Sequence, residues 1–180
     1  DRYSQFGLVS AVEAFEDSKL NMENEDPIRC GIIFSSGIGG METTENNYAT
    51  GERRGYDKVS PFYIPMGISN MAAGNIAIRL GFKGMCTCVV TACASSNNAV
   101  GDAFHYIRDG YAEVMLCGGS EAAITHLGLG GFTSMKALNT TEDPNRASIP
   151  FDKERAGFVM GEGAGALILE EYEHAVARGA

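Results

Sequence analysis

Apolar residues are spaced along this chain in two alternating rhythms, and those rhythms set out the elements. Residues 3–20 repeat apolar positions at helical spacing, with Phe6, Val9, Val12 and Phe15 on one stripe, and predict a helix. Residues 30–35 (CGIIFS) form a short apolar run next to glycine and predict a buried strand. A glycine turn (SGIGG, 36–40) follows, then a polar, mixed stretch over 41–56 that reads as helix and loop. Prolines bracket 60–65, which reads as extended. Residues 66–80 predict a helix whose small side (Ala72, Ala73, Gly74, Ala77) allows close approach to its neighbours.

A second strand is expected over 86–91 and a second helix over 95–109, with Gly110 as its C-terminal cap. A third strand over 113–117 ends in Gly118-Gly119. Residues 122–146 are rich in Gly, Thr and Asn and read as a long irregular region of the kind that carries function. A fourth strand over 164–170 leads into a helix from Tyr172. Strands alternating with helices imply an α/β fold with a mostly parallel, covered sheet.

Composition narrows the function. The 180 residues suffice for a real core, and 44% hydrophobic with 21% charged is a globular profile. The 23 glycines, nearly double a usual ~7%, fall partly in pairs that suit tight turns and close packing. A net charge of −9 without a basic stripe argues against nucleic acid as a partner. No apolar run is long enough to span a bilayer. Five cysteines, without a CxxC pair, suggest a reduced, cytoplasmic chain and neither a disulfide framework nor a metal site. The chain opens directly in a helical pattern and stops just after another, as a piece of a longer protein would.

Cys93 stands out from the other cysteines. It lies where a β-branched run meets a helix, in VVTACASSNNAVGDAF (89–104). A helix N-terminus presents unpaired N–H groups and partial positive charge, which favour a thiolate and can stabilise an oxyanion on a bound carbonyl. The turn resembles a nucleophile elbow but lacks the flanking glycines of GxSxG. The plainer alternative is a small buried apolar residue, the role expected of Cys30, Cys86, Cys88 and Cys117. Cys86 and Cys88 share a strand face, but no matching ligand set follows them.

A nucleophilic cysteine needs a proton-handling partner. His105 lies on the same predicted helix, roughly 18 Å along its axis, too far to serve. His174 falls in a charged helix and is expected to face solvent, whereas His126 lies in the irregular region, where distance does not exclude it. A single histidine in a loop carries little signal, so the partner is expected outside these residues, unless Cys93 is not catalytic.

Six segments then line up in order: SGIGG (36–40), ISNMAAGN (68–75), TACASS (91–96), GGSEAAIT (118–125), LGLGGFTSMKALN (127–139) and PFDKERAGFVMGEGAGALILEE (150–171). Together they resemble the β-ketoacyl-ACP synthases, the elongating condensing enzymes of the thiolase-like superfamily, over nearly the whole chain. The resemblance implies a layered αβαβα fold of two related halves. Residues 1–180 would form most of the N-terminal domain, without its first strand and without the C-terminal domain.

The resemblance also implies roles. Cys93 matches the nucleophile, with its backbone N–H as half of the oxyanion hole. It would take an acyl chain from acyl carrier protein (ACP), and malonyl-ACP would lose CO₂ and attack the acyl group in fatty acid elongation. Two histidines of the missing half would assist, so the isolated chain is expected to be inactive. No metal or redox cofactor is implied. Ile38 and Phe132 match acyl-pocket positions, Ile38 near the interface of a homodimer. Glu162 would be a hydrogen-bonding scaffold residue. Lys58 and Lys136 fall at or near basic positions that dock acidic ACP, although Asp57 stands where many relatives are basic, and −9 opposes docking globally. The alternatives are a polyketide-type ketosynthase, a thiolase or initiating synthase acting on CoA esters, and a chain-length-factor-like subunit that does not condense. Such subunits usually replace the cysteine.

Overall fold

The computed structural model describes residues 1–180. Its elements run α1 (Arg2–Ser18), β1 (Cys30–Ser35), α2 (Met41–Arg54), α3 (Tyr63–Gly67), α4 (Met71–Leu80), β2 (Cys86–Thr87), α5 (Ser95–Arg108), β3 (Val114–Glu121), α6 (His126–Ser134), β4 (Gly163–Glu170) and α7 (Tyr172–Arg178). The strands form one sheet in the order β2-β1-β3-β4. β1 pairs in parallel with β2 and β3, and β4 closes the other side antiparallel to β3.

Strand alternation divides the core between the two sheet faces. Ile32 and Phe34 of β1 and Val114 and Leu116 of β3 pack with Tyr3 and Ala11 of α1 and Ala72, Ala73 and Ile76 of α4. Ile33, Met115 and Cys117 point the other way, against Ala99 and Ala103 of α5. Every residue of β1 is buried, because helices cover both of its faces. At residues 30–35 the observed strand coincides with the expected one.

Several expectations shift. The buried face of α1 is Tyr3, Ser4, Gly7 and Ala11, not the apolar stripe, and Val9 is exposed. Small residues on that face let the helix lie close to the sheet: a Cβ on Gly7 would stand 2.7 Å from the Phe34 ring. Residues 63–65, expected to be extended, instead begin a short helix over 63–67; Pro65 is tolerated in its first turn, where N–H groups lack intrahelical acceptors. The helix expected over 66–80 breaks before Met71, and the Gly40 N–H donates to the Gly67 carbonyl (2.9 Å) at that break. The second strand shrinks to two residues at the sheet edge, paired only with β1. The region 122–146 contains α6, nucleated by the Thr125 hydroxyl accepting the Gly128 N–H (3.1 Å).

Cys30 and Cys117 are buried as expected, whereas Cys86 is exposed and Cys88 half-buried at the sheet edge. Burial, joined by the nearby Glu25, pushes the Cys30 thiol up to about 12, and burial raises Cys117 to about 11. Neither is a nucleophile at neutral pH. His174 does not face solvent: its ring lies between Glu25 and Glu170.

Candidate active site

Cys93 is exposed and sits at a sharp elbow just before α5. Ala92 adopts the left-handed region (φ +52°), uncommon for a residue with a Cβ. The Ser95 hydroxyl holds this turn from below. It accepts the Thr91 N–H (2.8 Å) and donates to the Ala92 carbonyl (2.6 Å), bracing the chain on the N-terminal side of Cys93. The Ala94 and Ser95 N–H groups bond back to the Thr91 and Ala92 carbonyls (3.1 Å each), while the Cys93 N–H bonds to no backbone carbonyl. A free donor beside a thiol is the arrangement that can receive an oxyanion.

The elbow opens on a cavity of about 580 Å³ between the C-terminal ends of β1 and β3, the start of α5 and the segment before β4. Ile38 and Phe132 line it together with Cys93, so the structure brings these three sequence candidates to one cavity. Ile38 comes from the turn after β1 and Phe132 from α6. The ring of Phe158 meets that of Phe132 edge to face, with centroids 5.2 Å apart. An apolar cavity lined by an exposed thiol suits a hydrophobic chain carried as a thioester.

Lys58 and Lys136 do not line this cavity. Lys58 is exposed and ion-paired with its neighbour Asp57, which offsets its charge. Lys136 is exposed just past α6, four residues after Phe132. Glu162 receives the Ile124 N–H (2.9 Å) and Arg2 (2.7 Å), and so ties the loop after β3 to α1.

No histidine lines the cavity. The His126 ring is fully exposed beside Glu45 (3.0 Å), and His105 packs against Phe104. Sequence reasoning missed Phe158, Met160 and Glu121 on the cavity wall. Glu121 follows GGS at the end of an apolar strand and carries no periodic signal. It falls within the GGSEAAIT segment, but nothing in that segment assigns the carboxylate a role.

Residues 1–175 match the family model described as the N-terminal domain of β-ketoacyl synthase. Over the whole chain the sequence is 49% identical to a 3-oxoacyl-[acyl-carrier-protein] synthase 2 of Synechocystis and 46% identical to one of Staphylococcus aureus. It spans 44% of the length of each. Among solved structures, a type II polyketide ketosynthase in complex with its acyl-carrier protein superposes with a TM-score of 0.93 at 34% identity. That match covers 99% of this chain and 45% of the other.

Proposed function

The chain belongs to the β-ketoacyl synthase family, and from that premise we propose that it supplies the nucleophile half of a 3-oxoacyl-ACP synthase active site in fatty acid elongation. The observation that carries this reading is the exposed Cys93 on an apolar cavity that Ile38 and Phe132 also line. The Cys93 thiolate attacks the carbonyl of an acyl-ACP thioester, and the ACP sulfur leaves as a thiolate that takes a proton. Negative charge on the carbonyl oxygen falls to the Cys93 N–H and a second donor. Malonyl-ACP then loses CO₂, its carbanion attacks the acyl carbon, and the Cys93 thiolate departs from a 3-oxoacyl-ACP. With no histidine at the cavity, the proton-handling groups come from the remainder of the parent protein, and the 180 residues alone form no carbon–carbon bond.

The ACP-docking role falls more naturally to Lys136 than to Lys58, because Asp57 neutralises Lys58. The outer edge of β2, with Val90 exposed in the segment after it, offers the face for a second copy. The cytoplasm suits five free cysteines, and no helix is long and apolar enough to cross a membrane. A polyketide-type enzyme would use the same residues and differ in the chain it accepts. The presence of Cys93 speaks against a non-condensing partner subunit.

The test is acylation of the full-length parent protein. Incubation with acyl-ACP followed by peptide mass spectrometry is expected to place the acyl group on Cys93, and Cys93→Ala to abolish it. An intact Cys93 peptide after incubation with both short and long acyl-ACPs sinks the reading. Product analysis with malonyl-ACP then separates a single elongation from repeated, unreduced condensation.

A further inference from the structure

Glu121 is a carboxylate on the wall of the Cys93 cavity, and it has no cation partner in the chain. Both of its oxygens are engaged, and both face the turn that carries Ile38. Oε1 accepts the Ser36 hydroxyl (3.0 Å) and Oε2 the Gly37 N–H (2.8 Å). The buried Ser36 oxygen in turn accepts the Gly39 N–H (2.8 Å), which closes the turn on itself. Gly37 is wedged between this carboxylate and the cysteine elbow: a Cβ there would lie 2.8 Å from Glu121 Oε2 and 3.6 Å from the Ala92 carbonyl oxygen.

We propose that Glu121 is a positioning residue that fixes the Ile38 turn and thereby sets which acyl chains the cavity accepts on Cys93. The proposal rests on the acyl-carrying reading of Cys93. Hydrogen bonds from neutral donors to a carboxylate are about twice as strong as neutral pairs, and two of them converge here on adjacent residues. The geometry does not suit an acid or base acting on the thiol, because both oxygens already accept from the turn. Ile38, 41% exposed, projects from that turn into the cavity. A chain long enough to reach Ile38 senses the position of the turn, whereas a short one on Cys93 does not.

The experiment measures the rate of Cys93 acylation by butyryl-ACP and by myristoyl-ACP in the full-length protein. In Glu121→Gln one carboxylate oxygen is replaced by an amide NH₂, which cannot accept from the turn, and the negative charge is lost. The myristoyl rate is expected to fall about tenfold, as for a transition-state loss near 1.4 kcal/mol, with the butyryl rate within about twofold of the unmodified protein. Ser36→Ala, which removes the hydroxyl at the centre of the same network, is expected to shift the ratio in the same direction. It supplies the readout if Glu121→Gln does not fold, as judged by thermal unfolding. An equal fall for both chains, or an unchanged ratio in a folded variant, overturns the proposal. No Cys93 adduct in the unmodified protein overturns the functional reading itself, and this inference with it.

Discussion

Phe132 and Phe158 meet edge to face at the wall of the Cys93 cavity, their ring planes at 82°. The contact joins α6 to the segment before β4, two regions with no shared strand. It is backed by the Asn139 N–H donating to the Phe158 carbonyl and the Phe158 N–H donating to the Ala137 carbonyl (3.0 Å each).

Phe158→Ala is therefore expected to lower stability by about 1 kcal/mol, the scale of an aromatic pair. A fully buried phenylalanine would cost ~3–5 kcal/mol, but Phe158 is 43% exposed. Thermal unfolding checks this value. Phe158→Leu, which keeps an apolar contact, is expected to lose less.

Ser95→Ala leaves the Thr91 N–H without its acceptor and the Ala92 carbonyl without its donor, at a turn already in the left-handed region. The expected cost is about 1–3 kcal/mol, with a several-fold slower reaction of Cys93 with iodoacetamide as the elbow loses its fixed geometry. Ser95→Thr keeps the hydroxyl and is expected to retain most of the reactivity. Equal alkylation rates in Ser95→Ala and the unmodified protein would show that the hydroxyl does not hold the thiol in place.

Legibility in the sequence followed the physics of each element. β1 was readable because two covered faces demand an unbroken apolar run, and the start of α5 just after Cys93 because a helix boundary is a local pattern, although β2 stops at Thr87 and the junction before Cys93 is loop. Ile38 and Phe132 were reached through motifs, and the cavity then gathered them. α6 was missed because its glycine-rich segment has poor intrinsic propensity; a threonine cap and packing of Gly128 on Ala123 and Met41 form it. Glu121 was missed because its partners belong to the turn after β1. His174 was misplaced because Glu25, distant in sequence, closes over one of its nitrogens.

Gly118 and Gly165 look alike in sequence and differ sharply in surroundings. Gly118 has φ +151°, and a Cβ there would stand 2.1 Å from the Gly165 carbonyl oxygen across the β3–β4 pair. Gly118→Ala combines backbone strain with a collision against backbone, so a loss of about 3 kcal/mol or more is expected. A Cβ on Gly165 meets nothing within 4 Å, and Gly165→Ala is expected to change stability by less than about 1 kcal/mol. Urea unfolding of the two variants checks the contrast, and equal losses would contradict the close approach.

The His174 imidazole is bracketed by carboxylates, Nδ1 lying 2.6 Å from Glu170 and Nε2 2.9 Å from Glu25. Both nitrogens must donate, so the bracket selects the imidazolium. Burial alone would lower the His174 pKa, but the hydrogen bond to Glu170 and the charges of Glu25, Glu170 and Glu113 outweigh it and raise the value. Arg178 first, and then His174, hold the Glu170 carboxyl below its usual value against burial. The two groups limit the cluster from opposite sides. The stabilisation from His174 is complete below its unfolded pKa near ~6.5 and is lost as pH rises through its higher folded value. That from Glu170 is complete above about 4.3 and is lost as pH falls through its depressed folded value. His174→Gln removes only the alkaline limit. It is expected to cost about 2 kcal/mol near pH 6, less than for a fully buried pair because Arg178 still neutralises Glu170. The difference from the unmodified protein is expected to shrink toward pH 9, as pH rises through the raised folded value of the native imidazole. Urea unfolding at the two pH values reads this directly, and an equal loss at both would mean that His174 holds α7 by packing and not by charge.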